Sequence, residues 1–161
     1  MNNLVVIKES KVHGKGVFAV QDIKKGTKVI EYLGEKISHA EGERRSHLTL
    51  EDSKNDSEKG AVYIFELNDE YSLDGNLPNN DAKYFNNSCS PNCKAEFEND
   101  RIWFVSKRNI KKGEELNINY CYTYKESLDH PCKCSSKKCM GYIVEPREKK
   151  KLLKLIESLK K

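Results

Sequence analysis

The stretch Asn86-Asn87-Ser88-Cys89-Ser90-Pro91-Asn92-Cys93 decides how this chain is read. It is a polar turn that offers amides, hydroxyls and thiols within a few residues. Downstream, Gly113-Glu114-Glu115-Leu116-Asn117-Ile118-Asn119-Tyr120 ends a strand-like run on a tyrosine. Further on, Cys132-Lys133-Cys134-Ser135-Ser136-Lys137-Lys138-Cys139 sets three cysteines within eight residues. Each block alone is weak evidence. Their order is strong.

Around these blocks the composition is that of a globular protein. At 161 residues the chain is expected to form one domain with its own core. Hydrophobic residues make up 37% and charged residues 34%, and no apolar run approaches the ~18 residues of a membrane helix. Residues 1–8 carry no basic segment before their short apolar run, so they read as a first strand and not as a signal peptide. The net charge of +4 is mild, with Lys and Arg scattered among Asp and Glu. A nucleic-acid surface would need a basic stripe interleaved with aromatics, which the lysines after Arg147 do not supply.

Short strands and turns are predicted along most of the chain. Residues 3–9, 17–20 and 27–33 read as strands, 38–50 as a short helix capped by Ser38 with Glu41 three residues on, and 51–60 as a polar mobile insert. Residues 61–67 and 70–73 form a hairpin around Asn68-Asp69, and 74–80 form a loop rich in Asn, Gly and Pro. A second hairpin joins 95–98 to 101–106 through Asn99-Asp100. Pro146 opens a final helix whose Leu152, Leu155, Ile156 and Leu159 recur at helical spacing.

Two patterns carry chemistry. Gly14-Lys15-Gly16 lets a backbone approach a ligand closely, though a tight turn explains it equally well. It lacks the third glycine and the following helix of a dinucleotide fingerprint. Cys132, Cys134 and Cys139 lie too close together for disulfide loops and suit one tetrahedral zinc, which needs a fourth ligand. Metal ligation also fits an intracellular, reducing compartment.

Taken in order, the three blocks resemble a SET-domain protein-lysine methyltransferase with a cysteine-rich post-SET tail, over about residues 8–143. The resemblance implies a mainly β fold with short helices, a SET-type β-clip with pseudoknot-like threading, and one C-terminal helix. It divides the chain into a SET domain at 1–125, a zinc-binding segment at 126–145 packed on it, and a basic C-terminal helix at 146–161. It places S-adenosylmethionine against His13, Gly14, Lys15, Gly16, Tyr63, Lys83, Asn86 and Asn87. Two of these depart from the family pattern: Asn87 stands where histidine is usual, and Lys83 where arginine is frequent, which loses the planar fork.

By the same resemblance Tyr120 is the catalytic tyrosine and Tyr32 a second tyrosine of the lysine channel. Cys89 becomes the fourth zinc ligand beside Cys132, Cys134 and Cys139, with Cys93 its rival. Ile118, two residues before Tyr120, occupies a position that helps set how many methyl groups are added. Of the eight tyrosines, Tyr71, Tyr84, Tyr122 and Tyr124 are expected to be structural.

The implied partner is a lysine-bearing protein or peptide, a histone tail or another basic protein, met by a monomeric, minimal enzyme without an appended module. The compartment would be the cytoplasm of a prokaryote, or the nucleus of a eukaryote or of a virus's host. Two rival readings are a non-catalytic SET-like module that holds a peptide or cofactor, and a zinc-stabilised nucleic-acid binder. Tyr120 and the cysteine tail weigh against the first, and the balanced charge against the second.

Overall fold

The computed structural model describes residues 3–55 and 62–159. Among the described residues, ten short strands and two α-helices are formed. They are β1 (Val5–Glu9), β2 (Lys15–Ala19), β3 (Lys28–Tyr32), β4 (Glu35–Ser38), α1 (His39–Asn55), β5 (Ile64–Glu66), β6 (Tyr71–Asp74), β7 (Asn86–Asn87), β8 (Cys93–Glu98), β9 (Arg101–Ser106), β10 (Glu115–Ile118) and α2 (Lys149–Leu159). They make a four-stranded sheet of order β1-β2-β10-β7 and two three-stranded sheets, β3-β9-β8 and β4-β6-β5. This is the mainly β architecture expected of the chain.

The chain divides into two compact units. The first comprises Met1–Val29, Tyr84–Lys94 and Val105–Lys161. Here β1 and β2 pair antiparallel, with Val5 opposite Ala19 and Glu9 opposite Lys15. Their turn closes through the Ser10 N–H on the Gly14 carbonyl at 2.7 Å. On its other edge β2 pairs antiparallel with β10, which in turn pairs parallel with β7 through Asn117 with Asn86 and Ile118 with Asn87. Val17, Ala19, Phe85, Ile110, Leu116, Ile118, Val144 and Leu152 fill the core. In α2, Leu152 is buried but Leu159 is 66% exposed, so the apolar stripe predicted for this helix stops short of its end.

The second unit comprises Ile30–Lys83 and Ala95–Phe104. In it β4 and β5 flank β6, both antiparallel. Ser38 caps α1, its hydroxyl accepting from the Glu41 N–H at 3.2 Å. The helix runs to Asn55, beyond the predicted end and into the segment read as a mobile insert, whose residues 56–60 lie outside the described ones. Arg45 explains part of that persistence: it bridges Glu41 on the helix to Glu35 and Asp74 on the sheet, at 2.7–2.8 Å. The β8–β9 turn has Asn99 and Asp100 at φ of 50° and 57°, the left-handed pair that a two-residue hairpin of the native twist requires.

Tyr32 anchors this unit. It is 2% exposed, with its ring 4.8 Å from Phe65 and 5.6 Å from Phe104. Its hydroxyl donates to the Tyr63 carbonyl at 2.7 Å. Gly75 exists for this ring, because a Cβ there would come within 2.3 Å of the phenol carbon. Asn80, also buried, accepts from the Leu33 N–H and donates to the Gly75 carbonyl, which fixes the 74–80 loop around the tyrosine.

Candidate active site

Asn86 joins the glycine turn to β10. Its side-chain amide donates to the Lys15 carbonyl at 3.0 Å and to Glu115 Oε1 at 2.9 Å, with the His13 carbonyl at 3.3 Å. Glu115 also accepts from the Ser10 hydroxyl at 2.7 Å. The two glycines of the turn have separate reasons. Gly14 has φ +44° and open space where a Cβ would be, whereas a Cβ on Gly16 would come within 2.5 Å of the Glu115 carboxylate. The turn therefore presents an open, exposed backbone at Gly14 above a rigid carboxylate–amide floor. Glu115 and Ser10 were missed from sequence, because nothing local marks a glutamate in a strand as the partner of a glycine.

Asn92 locks the far end of the same segment. Its backbone N–H donates to Asn117 Oδ1 at 3.1 Å, and its own Oδ1 accepts from the Asn117 N–H at 2.9 Å. Its side-chain amide donates to the Glu115 carbonyl at 2.8 Å. This reciprocal pair was also missed.

Tyr120 follows the end of β10. It is 40% exposed, and its hydroxyl donates to the Phe85 carbonyl at 2.9 Å. Tyr122 meets its ring edge-on at a centroid distance of 6.4 Å and stacks on His130 at 3.9 Å. Burial raises the Tyr122 pKa and lowers that of His130, favouring the neutral form of both rings. Tyr122, expected to be merely structural, thus borders the tyrosine expected to be catalytic. Ile118 is buried, its carbonyl accepting from the Ser88 N–H at 2.7 Å.

Cys89, Cys132, Cys134 and Cys139 bring their sulfurs within 4.8 Å of one another, close enough to hold a metal ion. Cys89 and Cys132 are 3.7 Å apart, and a tetrahedral ion with ~2.3 Å sulfur bonds requires about 3.8 Å. Burial, reinforced by neighbouring sulfur, pushes the Cys89 thiol far up and the Cys132 thiol up to about 11. Burial also acts to raise Cys134, but N–H donation from Cys89 and Ser136 outweighs it and holds that thiol at about 7. Such a group resists ionising together unless a cation joins it. Cys93 is not in the cluster: it is fully buried, and desolvation raises its thiol to about 12.

The remaining predicted residues belong to the second unit. Tyr32 is the core residue described above, and Tyr63 supplies the carbonyl that holds it. Lys83 donates to the Leu77 carbonyl at 2.9 Å and lies 5.7 Å from the centre of the Tyr63 ring.

The profile of the SET domain matches residues 14–121. The chain belongs to the SET-domain family. It is 34% identical over 146 residues to human histone-lysine N-methyltransferase 2D, a match covering 88% of this chain and 2% of that protein. Similarity to the Drosophila melanogaster histone-lysine N-methyltransferase trr is 35% over 146 residues, covering 88% and 6%. The Schizosaccharomyces pombe histone-lysine N-methyltransferase, H3 lysine-4 specific, is 34% identical over 139 residues, covering 83% and 14%. The chain therefore spans only a small part of the length of these relatives.

The Asn86 floor yields a test. Asn86→Ala strips a donor from two carbonyls and a carboxylate, and should destabilise the fold by about 1–3 kcal/mol. Asn86→Asp, nearly isosteric, sets a second carboxylate against Glu115 and should cost more. Urea unfolding midpoints of the two variants read this directly, and an aspartate variant as stable as wild type would refute the assignment.

Proposed function

We propose that this chain is an S-adenosylmethionine-dependent protein-lysine N-methyltransferase acting on a histone tail or another basic protein. The observation that carries the proposal is Tyr120: an accessible tyrosine held at both its backbone and its hydroxyl, two residues beyond the strand that pairs with Asn86 and Asn87. The relatives named as histone-lysine N-methyltransferases support the substrate class.

The open turn at Gly14 fits close approach of a ligand to backbone, and His13, Gly14, Lys15, Gly16, Asn86 and Asn87 are the residues of the first unit that would hold the cofactor. Tyr63 and Lys83, which the family resemblance also assigns to the cofactor, lie in the second unit, where the Lys83 ammonium is 5.7 Å from the centre of the Tyr63 ring. The cofactor supplies an electrophilic methyl group on a sulfonium. A lysine side chain has a pKa of ~10.4, so the neutral amine at pH 7 is below roughly 0.1% of the total, a cost of about 4–5 kcal/mol. Tyr120 and Tyr122 favour that amine by presenting ring faces and edges in place of the water that solvates the ammonium, and a phenol oxygen orients the lone pair. Tyr32, with its hydroxyl bound to the Tyr63 carbonyl, serves by holding that segment in place.

The cysteine cluster is proposed to hold zinc, whose preference for four thiolates in a tetrahedron matches the sulfur spacing. Among the described residues no helix is long and apolar enough to cross a membrane. All six cysteines are free, in keeping with work in a reducing compartment, the nucleus where the substrate is a histone.

Tyr120→Phe removes only a hydroxyl, so folding and cofactor binding should persist while turnover falls by on the order of 100-fold, about 3 kcal/mol. Single-turnover methyl transfer with isotopic cofactor measures it, and an unchanged rate would move the assignment to another residue.

Chelation under reducing conditions should loosen residues 126–145 and lower activity while the strands of the first unit stay protected from hydrogen exchange. Full activity in protein shown by metal analysis to contain no zinc would exclude the structural metal.

Ile118 has no hydroxyl to tether a water or an amine, so di- or trimethyllysine should accumulate. Mass spectra of a peptide substrate taken to completion test this, and products that stop at monomethyllysine would contradict it. Ile118→Tyr should shift products toward monomethyllysine, although a larger ring at this buried position costs about 1–3 kcal/mol of stability.

A further inference from the structure

The side chain of Asn87 touches both the cysteine cluster and the backbone of Tyr120. Its Oδ1 accepts from the Tyr120 N–H at 3.0 Å, and its Nδ2 donates to Cys132 Sγ at 3.3 Å. The strand geometry makes the first contact necessary. The ladder between β7 and β10 ends at Asn87 and Ile118, and the chain turns sharply after Tyr120, with Cys121 at φ 56°. The Tyr120 N–H therefore lies beyond the last ladder position, and the neighbouring strand reaches it through a side chain. That need fixes the amide's orientation: oxygen toward Tyr120, nitrogen toward sulfur. Asn87 itself is buried, so its amide depends on these two contacts for its hydrogen bonds.

We infer that Asn87 is a positioning residue that transmits occupancy of the cysteine cluster to the catalytic tyrosine, a role that rests on the methyltransferase reading of Tyr120. A metal-bound sulfur carries negative charge and is a far better acceptor for an amide N–H than a thiol. Donation to it polarises the amide and strengthens Oδ1 as an acceptor, because hydrogen bonds in series reinforce one another. With the ion in place, the Tyr120 backbone is held at the nitrogen by Asn87 while its hydroxyl is held by the Phe85 carbonyl. Without it, the amide donates to a neutral thiol, a weaker acceptor, and its hold on the Tyr120 N–H slackens. The asparagine is suited to this because one planar group offers an acceptor and a donor on opposite sides.

The experiment uses the full chain loaded with zinc or cobalt(II), and three readouts. First, amide hydrogen exchange at Tyr120, resolved by NMR, should quicken about 10-fold or more in wild type when the metal is chelated, as expected when one hydrogen bond slackens. In metal-loaded Asn87→Ala it should be at least as fast as in chelated wild type. Second, the sulfur-to-cobalt charge-transfer band should move to lower energy in Asn87→Ala, because an N–H no longer stabilises the Cys132 lone pairs; a merely structural residue would leave the band in place. Third, kcat should fall in Asn87→Ala with little change in the KM for peptide.

Asn87→Asp keeps the acceptor for Tyr120 but turns a carboxylate toward sulfur, so it should weaken metal binding while preserving slow exchange at Tyr120 in whatever fraction stays loaded. Should Asn87→Ala not fold, this variant and the wild-type chelation arm decide the question. Exchange at Tyr120 that is indifferent to chelation, or a cobalt band unmoved by loss of the amide, overturns the inference. The exchange and cobalt measurements stand independently of turnover, so a chain that transfers no methyl group would refute the catalytic reading without touching them.

Discussion

Four polar side chains buried in one short segment govern this part of the molecule. Asn86, Asn87, Ser88 and Asn92 are all nearly inaccessible to water, and each buried amide or hydroxyl left without a partner would cost about 1–3 kcal/mol. The segment can be buried only where partners converge on it. Asn86 finds them in the 13–15 turn and Glu115, Asn92 in the backbone of β10, and Asn87 in Tyr120 and Cys132. Glycine at position 16, a glutamate in β10 and a cysteine in the tail are thus parts of one requirement. Hydrophobic contact could not impose it, because apolar burial is indifferent to direction and these amides are not.

Direction is what the proposed chemistry needs. A methyl transfer to nitrogen depends on a lone pair aimed within a narrow cone, and misplacement by an ångström can cost a hundredfold in rate. Tyr120 is held at its backbone N–H by the Asn87 side-chain oxygen and at its hydroxyl by the Phe85 carbonyl, both from buried residues. The residue nevertheless remains 40% exposed. A tyrosine buried in the ordinary way, such as Tyr32 between Phe65 and Phe104, gains comparable rigidity at the expense of access.

Much of this was legible in the sequence where a local rule sets the outcome. Asn99-Asp100 forms its turn because both residues tolerate positive φ, and Ser38 caps α1 because its hydroxyl meets an N–H three residues on. Cys132, Cys134 and Cys139 were legible as a metal-binding set because sulfur has few uses at that spacing, whereas Cys89 joined them only through the resemblance to the family. What escaped notice depends on residues far apart in the chain. Gly75 is required by a ring 43 positions earlier, as its separation from Tyr32 shows (75 − 32), and Glu115 is paired with Asn86 across the sheet. The length of α1 escaped as well, since residues 51–55 are polar and carry no apolar period, while the ion pairs of Arg45 that fasten the helix reach across to β4 and β6.

The tail presents the opposite case, a segment ordered with almost no core. Among the described residues of 126–145, Val144 is the one fully buried aliphatic side chain, and burying such a side chain contributes about 1.5–3 kcal/mol. Ordering the backbone costs about 1–2 kcal/mol per residue, so apolar burial falls short by an order of magnitude over this length. Hydrogen bonds such as Cys132 N–H to the Gly141 carbonyl and Ile143 N–H to the His130 carbonyl shape the segment but contribute only about 1 kcal/mol each. A metal ion held by four thiolates contributes about 10–16 kcal/mol in small zinc domains, more than any single apolar side chain or hydrogen bond of the segment. Because one of the four sulfurs is Cys89, within the buried asparagine segment, that energy would be delivered beside Asn87 and Tyr120. An ion bound there would therefore order the tail and also be placed to fix the tyrosine.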